Sequence, residues 1–223
     1  MRKTENMIQI KILTFNPFQT NTYVLWDETK EAIIIDSSFS TEQEYETFKS
    51  FVDAESLHIK GVYNTHCHFD HCFGAAFLKK HLKLSYAAHK DGIQFTENAA
   101  LQASIYGLQI DHIEAPTKFI DEGDLIKFGK SELRILNTPG HADGSLCFVS
   151  DEDHFVITGD VLFKESIGRT DLPTGNLDLL LASIHEKLFK LPGDFAVYPG
   201  HGPKTVLAQE QSQNPFLHFG EVF

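Results

Sequence analysis

The segment Asn64-Thr65-His66-Cys67-His68-Phe69-Asp70-His71 places three imidazoles and a carboxylate within six residues, 66–71. Burying such a set without a partner costs too much solvation for a stable fold. A divalent transition metal is the natural partner, because imidazole nitrogen and carboxylate oxygen both ligate such ions well. In extended backbone, residues two apart point the same way, so His66 and His68 can grip one ion as a pair. Asp70 and His71 fall past the turn and face elsewhere, which points to a second ion nearby. The competing reading is a solvated polar loop.

The rest of the chain argues against that loop. An apolar run, Ile59 to Asn64, feeds the cluster and reads as a strand. Three further apolar runs end in a turn that delivers a ligand: Leu133 to Asn137 before His141, Phe155 to Thr158 before Asp160, and Phe195 to Tyr198 before His201. A glycine immediately precedes each of the three (Gly140, Gly159, Gly200), allowing a tight turn and close approach. One Gly-His pair carries little information. Repetition at strand ends is how rigid scaffolds build sites.

Other elements are read from periodicity. Ile8 to Phe15 alternates, Thr22 to Trp26 is rich in β-formers, Glu31 to Asp36 is a buried-strand run ending in a carboxylate, and Leu146 to Val149 is a strand. Leu84 to Ala88 is expected to be another. Helices are expected over Thr41 to Val52, from Phe73 to near Lys83, over Asp91 to Leu108 and over Leu177 to Leu191. Thr41 and Glu44 have the spacing of a capping box, and the Glu42-Glu44-Glu46 run reads as the helix's wet face. Mixed strands and helices in two similar halves imply helices covering a pair of packed sheets.

The 223 residues, 42% hydrophobic and 22% charged, suit a globular chain with a sizeable core. A formal net charge of -12 argues against a general nucleic-acid binder. No apolar run approaches the roughly 18 residues of a membrane helix, and the start has no signal-like apolar stretch. A cytoplasmic location, without membrane partners, is the expectation. Cys67, Cys72 and Cys147 are too few for a disulfide framework. Extended backbone turns Cys67 away from its ligand neighbours, so a core thiol is expected there, as for Cys147. His58, His81, His89, His112, His154, His185 and His218 lack ligand spacing.

The motifs Thr65-His66-Cys67-His68-Phe69-Asp70-His71, Thr138-Pro139-Gly140-His141, Thr158-Gly159-Asp160 and Gly200-His201 resemble, in order, those of the metallo-β-lactamase superfamily, and within it a short glyoxalase II-like subgroup. The likeness runs from about Thr22 to His201. It implies an α+β fold, a four-layer αβ/βα sandwich with the metal site at the edge between the two sheets. Residues 1–223 would form one domain lacking the full C-terminal helical domain of longer glyoxalase II enzymes. Substrate contacts would then be partial, or come from the helix expected over Asp91 to Leu108.

By the same resemblance one ion is held by His66, His68 and His141, and the other by Asp70, His71 and His201. Asp160 bridges them, and Asp36 braces the site from behind. Zinc is the expected metal, with iron or manganese also suited. The implied reaction is hydrolysis of S-lactoylglutathione or a related small acyl-thiol by a hydroxide bridging the two ions, with Asp70 also orienting it. Arg169 and Phe163 are the implied substrate contacts, although Arg169 can equally pair with Asp171. Persulfide dioxygenases resemble the chain too, and would use one iron on His66, His141 and Asp160. A true β-lactamase, a superfamily nuclease and a non-enzymatic zinc-stabilised module fit less well. The first commonly carries Cys where Asp160 stands, and structural zinc sites are closed and Cys-rich.

Overall fold

A computed structural model describes residues 7–110 and 112–217. The readings made of Met1 to Asn6, of His218 and of the remaining chain end lie outside the described residues. The first sheet has the order β1 (Gln9–Phe15), β2 (Thr20–Trp26), β3 (Glu31–Ile35), β4 (His58–Tyr63), β5 (Ala87–Ala88) and β6 (Lys118–Phe119). The second runs β14 (Thr205–Val206), β13 (Ala196–Pro199), β10 (Phe155–Gly159), β9 (Leu146–Ser150), β8 (Ser131–Asn137) and β7 (Leu125–Phe128). A hairpin of β11 (Leu162–Phe163) and β12 (Ser166–Ile167) stands apart. The seven α-helices among the described residues are α1 (Glu42–Ala54), α2 (Phe69–Cys72), α3 (Ala75–Phe77), α4 (Ile93–Glu97), α5 (Ala99–Ile105), α6 (Leu177–Glu186) and α7 (Leu207–Gln213).

The layering follows from strand periodicity. Tyr23 and Leu25 of β2 and Ile33 and Ile35 of β3 pack between the sheets with Phe148 of β9 and Ile157 of β10. Their neighbours Val24, Ala32 and Ile34 face the other way, against Tyr45, Phe48 and Val52 of α1. Cys147, Val149 and Val156 likewise face Leu180 and Ile184 of α6. Both sheets are therefore covered on both faces, which explains unbroken apolar runs such as Ala32-Ile33-Ile34-Ile35. The fold is the expected α+β sandwich of two mixed sheets with outer helices and a histidine cluster between them. Among the described residues no helix is long and apolar enough to cross a membrane.

Strand direction explains why the ligands converge. β3 and β4 pair parallel, with α1 as the crossover, so both end at one edge of the first sheet. β10 is parallel to β13 and, through the antiparallel β9, points the same way as β8. These three strands end together at one edge of the second sheet. The edges are stitched by backbone bonds from the Leu146 N–H to the Thr65 carbonyl (2.7 Å) and from the Asn21 N–H to the Gly200 carbonyl (2.8 Å).

Several expectations need correction. Thr41 caps α1 by accepting the Glu44 N–H at 3.2 Å, but no reciprocal box forms. The Glu44 carboxylate instead takes the Ser40 and Asn16 N–H groups, each at 2.7 Å, and fastens α1 to the β1–β2 turn. Glu44 is thus a tie between elements and not part of a wet face. The helix expected after Phe73 is α3 followed by a π-turn, Leu78–Leu82, closed by Lys83 in the left-handed region (φ 58°). The helix expected over Asp91 to Leu108 divides into α4 and α5 at Asn98, whose side chain takes the Gln94 carbonyl at 2.7 Å and competes with the helical ladder. The expected strand Leu84 to Ala88 shrinks to two residues, because only Ala87 and Ala88 find partners.

Candidate metal centre

The seven expected ligands meet at the joined sheet edges. Ligand atoms of His66, His68 and His141 lie within 4.8 Å of one another, as do those of Asp70, His71 and His201. His66, His71 and Asp160 form a third such set that overlaps both. Asp160 stands between the trios. Its Oδ2 is 3.7 Å from His141 Nε2 and 3.4 Å from His201 Nε2, and its Oδ1 is 3.5 Å from His71 Nε2.

Each imidazole is aimed by what holds its far nitrogen. His71 Nδ1 donates to Asp36 Oδ2 at 2.9 Å. His201 Nδ1 donates to the Phe18 carbonyl at 3.0 Å, and His141 Nδ1 to the Arg169 carbonyl at 2.8 Å. His66 Nδ1 meets Thr65 Oγ1 at 3.0 Å, and that hydroxyl donates to Asp36 Oδ2 at 2.7 Å, so it accepts from His66. In their neutral forms all four rings therefore present an Nε2 lone pair inward. His68 is turned over: its Nδ1 lies 3.0 Å from both His66 Nε2 and His141 Nε2.

The donor set fits divalent ions. His71 Nε2 and Asp160 Oδ1 are fully buried and have no hydrogen-bond partner. With its proton on Nδ1, His71 turns a lone pair toward carboxylate oxygens of Asp70 and Asp160, each 3.5 Å away. Lone pairs facing one another in a dry pocket call for a cation. Close approach is built in at Gly200, where a Cβ would strike Asp160 Oδ1 and lie 2.8 Å from His71 Cε1.

The titration of the bare protein agrees. Burial drives His66 well below its ordinary value and His68 down to about 3. Burial also opposes charge at His71, but Asp70, Asp160 and Asp36 outweigh it and raise His71 well above 6.5. His201 is raised against burial to about 10 by Asp160 and Asp70. Burial works against ionised Asp70, yet His71 and His201 bring its carboxyl to about 2. His66 and His68 thus stay neutral, while His71 and His201 keep protons beside Asp70 and Asp160 that an ion would replace.

Residues that spacing does not reveal complete the support. Thr20 donates to Asp70 Oδ2 at 2.9 Å. Asn16 donates to the backbone carbonyls of Ser38 (2.9 Å) and Asp70 (3.0 Å). Asp36 is where it was expected, also taking the Thr65 N–H at 2.7 Å. The three cysteines are buried and free, Cys67 and Cys147 in the core as read. His89, which lacks ligand spacing, is buried and accepts the Asp91 N–H at 3.2 Å.

The centre floors a cleft of about 710 Å³. Phe163 lines it, and its ring centroid is 6.3 Å from that of His201. Arg169 also lines it, but is clamped by two bonds to Asp171 (2.7 and 2.8 Å) and one to the Tyr106 hydroxyl (3.2 Å). The opposite wall comes from α4 and α5, the segment expected to contribute contacts.

Comparison with known proteins agrees with this geometry. Hydroxyacylglutathione hydrolase GloC of Haemophilus influenzae is 36% identical over 214 residues, covering 95% of this chain and 99% of its own. The bovine mitochondrial persulfide dioxygenase ETHE1 is 34% identical over 204 residues, covering 89% of this chain and 71% of that protein. Among solved structures, BLEG-1, titled a B3 metallo-β-lactamase, superposes with a TM-score of 0.85 at 34% identity, covering 94% of this chain and all of its own. TTHA1623, solved in a di-iron-bound form, gives 0.82 at 34% identity, with 93% and 100% covered. A divalent-metal centre is thus supported by the ligand sets and by a relative that carries one. The family model described as metallo-beta-lactamase superfamily matches residues 15–201, and the chain belongs to that superfamily of metal-dependent enzymes.

Proposed function

We propose that the chain is a glyoxalase II-like hydrolase of thioesters, a cytoplasmic enzyme acting through one domain on a small acyl-thiol such as S-lactoylglutathione. The observation that carries the reading is the division of the ligands into two trios with Asp160 reaching both. His66, His68 and His141 would hold one ion, Asp70, His71 and His201 the other, and Asp160 would bridge. Zinc is the proposed metal, and iron or manganese suits the same donors. Two such ions lower the pKa of water from about 15.7 to about 7 and polarise an acyl carbonyl.

The chain's own residues do the rest. Thr20 fixes Asp70 by one carboxylate oxygen, and Asp70 in turn orients the attacking water. Phe163 and the α4–α5 wall flank the reacting carbon. A thiolate leaves readily, since free thiols have a pKa near about 8.5, so no strong general acid is required. None of the three cysteines lines the cleft, which fits a mechanism without a thiol nucleophile.

Replacing Asp70 with Asn removes the one carboxylate of its trio and the group that orients water. The expected variant is folded, binds the second ion weakly and hydrolyses S-lactoylglutathione at least about a hundredfold more slowly. Full activity with one ion per chain overturns the binuclear reading. The second reading is a one-iron persulfide dioxygenase on His66, His141 and Asp160, favoured by the similarity to ETHE1.

A further inference from the structure

The wall of the cleft says more than its floor. Leu101 and Ile105 stand one turn apart on α5 and line the cleft, yet are 69% and 76% exposed. A helix has no folding reason to leave two large aliphatic side chains in water on one stripe. Tyr106, also exposed, continues the stripe, and Phe163, Leu172 and Pro173 line the same cleft. The apolar surface is continuous with the metal centre, because His68, Asp70 and Asp160 line the same cavity.

The charges on that wall are as informative. Among the described residues no lysine lines the cleft, and Arg169 is its one guanidinium. Three of its five N–H groups are already committed, two of them to the Asp171 carboxylate, which cancels its charge locally. A thiol carrier with several carboxylates finds little here to hold it. An apolar arm finds a dry surface leading straight to the ligands.

Resting on the thioesterase reading above, we infer that the preferred substrates are thioesters of apolar acyl groups, with the acyl chain lying along Leu101, Ile105 and Tyr106. In the reaction a C–O bond to water forms and the acyl C–S bond breaks. A carboxylate, a thiol and one proton are released. Specificity then comes from apolar surface covered by the chain.

The test is a series of N-acetylcysteamine thioesters, acetyl, butyryl and hexanoyl, with S-lactoylglutathione alongside. The gain expected for each methylene buried is about fourfold in kcat/KM. From acetyl to hexanoyl the rise is on the order of a hundredfold, and the hexanoyl ester surpasses S-lactoylglutathione. The double variant Leu101→Asn, Ile105→Asn changes only exposed side chains and should flatten the series to less than half its slope on a logarithmic scale. A flat or falling series with thioesters still hydrolysed overturns the inference alone. A slope that survives the double variant, while the protein passes from dimer to monomer, shows a self-association face and also overturns it. No hydrolysis of any thioester, with oxygen uptake on a persulfide, overturns the thioesterase reading itself.

Discussion

Asp36 shows how much one residue contributes to the centre. It sits in the left-handed region (φ 58°), tolerated by Asp better than by most residues, just after a strand whose last four side chains are aliphatic. That conformation turns the carboxylate back to accept from Thr65 twice and from His71 once. An amide in its place has one acceptor oxygen and puts a donor against a donor. Asp36→Asn should therefore weaken metal binding by about 10- to 100-fold, measured by competition with a chromophoric chelator. Gly200→Ala should yield a folded chain that retains no ion between the trios, since the added methyl takes the space beside His71 and Asp160. Arg169 is already clamped to Asp171, so Arg169→Ala should change KM little, and equally, for glutathione thioesters and N-acetylcysteamine esters; a KM that rises only for the glutathione thioesters, which carry carboxylates, gives Arg169 a grip on anionic carriers. That the seven expected ligand residues and Asp36 come together was legible, because their residue types recur at strand ends and their motifs resemble those of the superfamily. Thr20, Asn16 and the Phe18 carbonyl were not. They act from a turn some fifty to two hundred residues away in sequence, and no local spacing encodes that.

At the level of elements, long apolar runs were readable because both faces of each sheet are covered. The two-residue strands β6, β11, β12 and β14 were not, since so few residues carry no period, and β5 was read three residues too long. Contacts beyond the local window decided the caps as well. Glu44 looked like half of a capping box, but its carboxylate spans to Asn16 and holds the turn that carries Phe18 and Thr20. Removing it strands the Ser40 and Asn16 N–H groups. Glu44→Ala should cost about 1–3 kcal/mol, read as a lower midpoint in urea. A midpoint unchanged from wild type means those donors find other partners. At the opposite end, buried Glu210 of α7 accepts from the Glu165 N–H at 2.8 Å and Asn214 donates to the Ser166 carbonyl at 3.0 Å. The last helix thereby fixes the β11–β12 hairpin, and with it Phe163.

For the whole molecule, the centre sets how stability depends on pH. Take the metal-free protein first. His68 is held at about 3 and His66 well below 6.5, so between pH 6.5 and 3 the unfolded chain binds protons that the folded chain refuses. Stability falls as pH falls, and Asp70, at about 2, adds to that loss below 3.8. His201 is raised to about 10 and His71 well above 6.5, so the folded chain keeps protons there that the unfolded chain gives up. Stability therefore falls again as pH rises from 6.5 toward 10. Chelator-stripped protein should be most stable near pH 6.5, with the alkaline loss suppressed once ions replace the protons. Urea midpoints that climb steadily to pH 9 without metal would contradict this balance. The acidic net charge and the apolar cleft are whole-chain features that spacing alone did not connect, since the cleft joins residues from Phe18 to His201.

Metal content measured together with turnover on the purified protein separates a two-ion hydrolase from a one-iron oxygenase. A two-ion hydrolase should carry two divalent ions per chain, with thioester hydrolysis that disappears on chelation and returns with zinc. One iron per chain, with oxygen consumed on glutathione persulfide and no thioester cleaved, would contradict it.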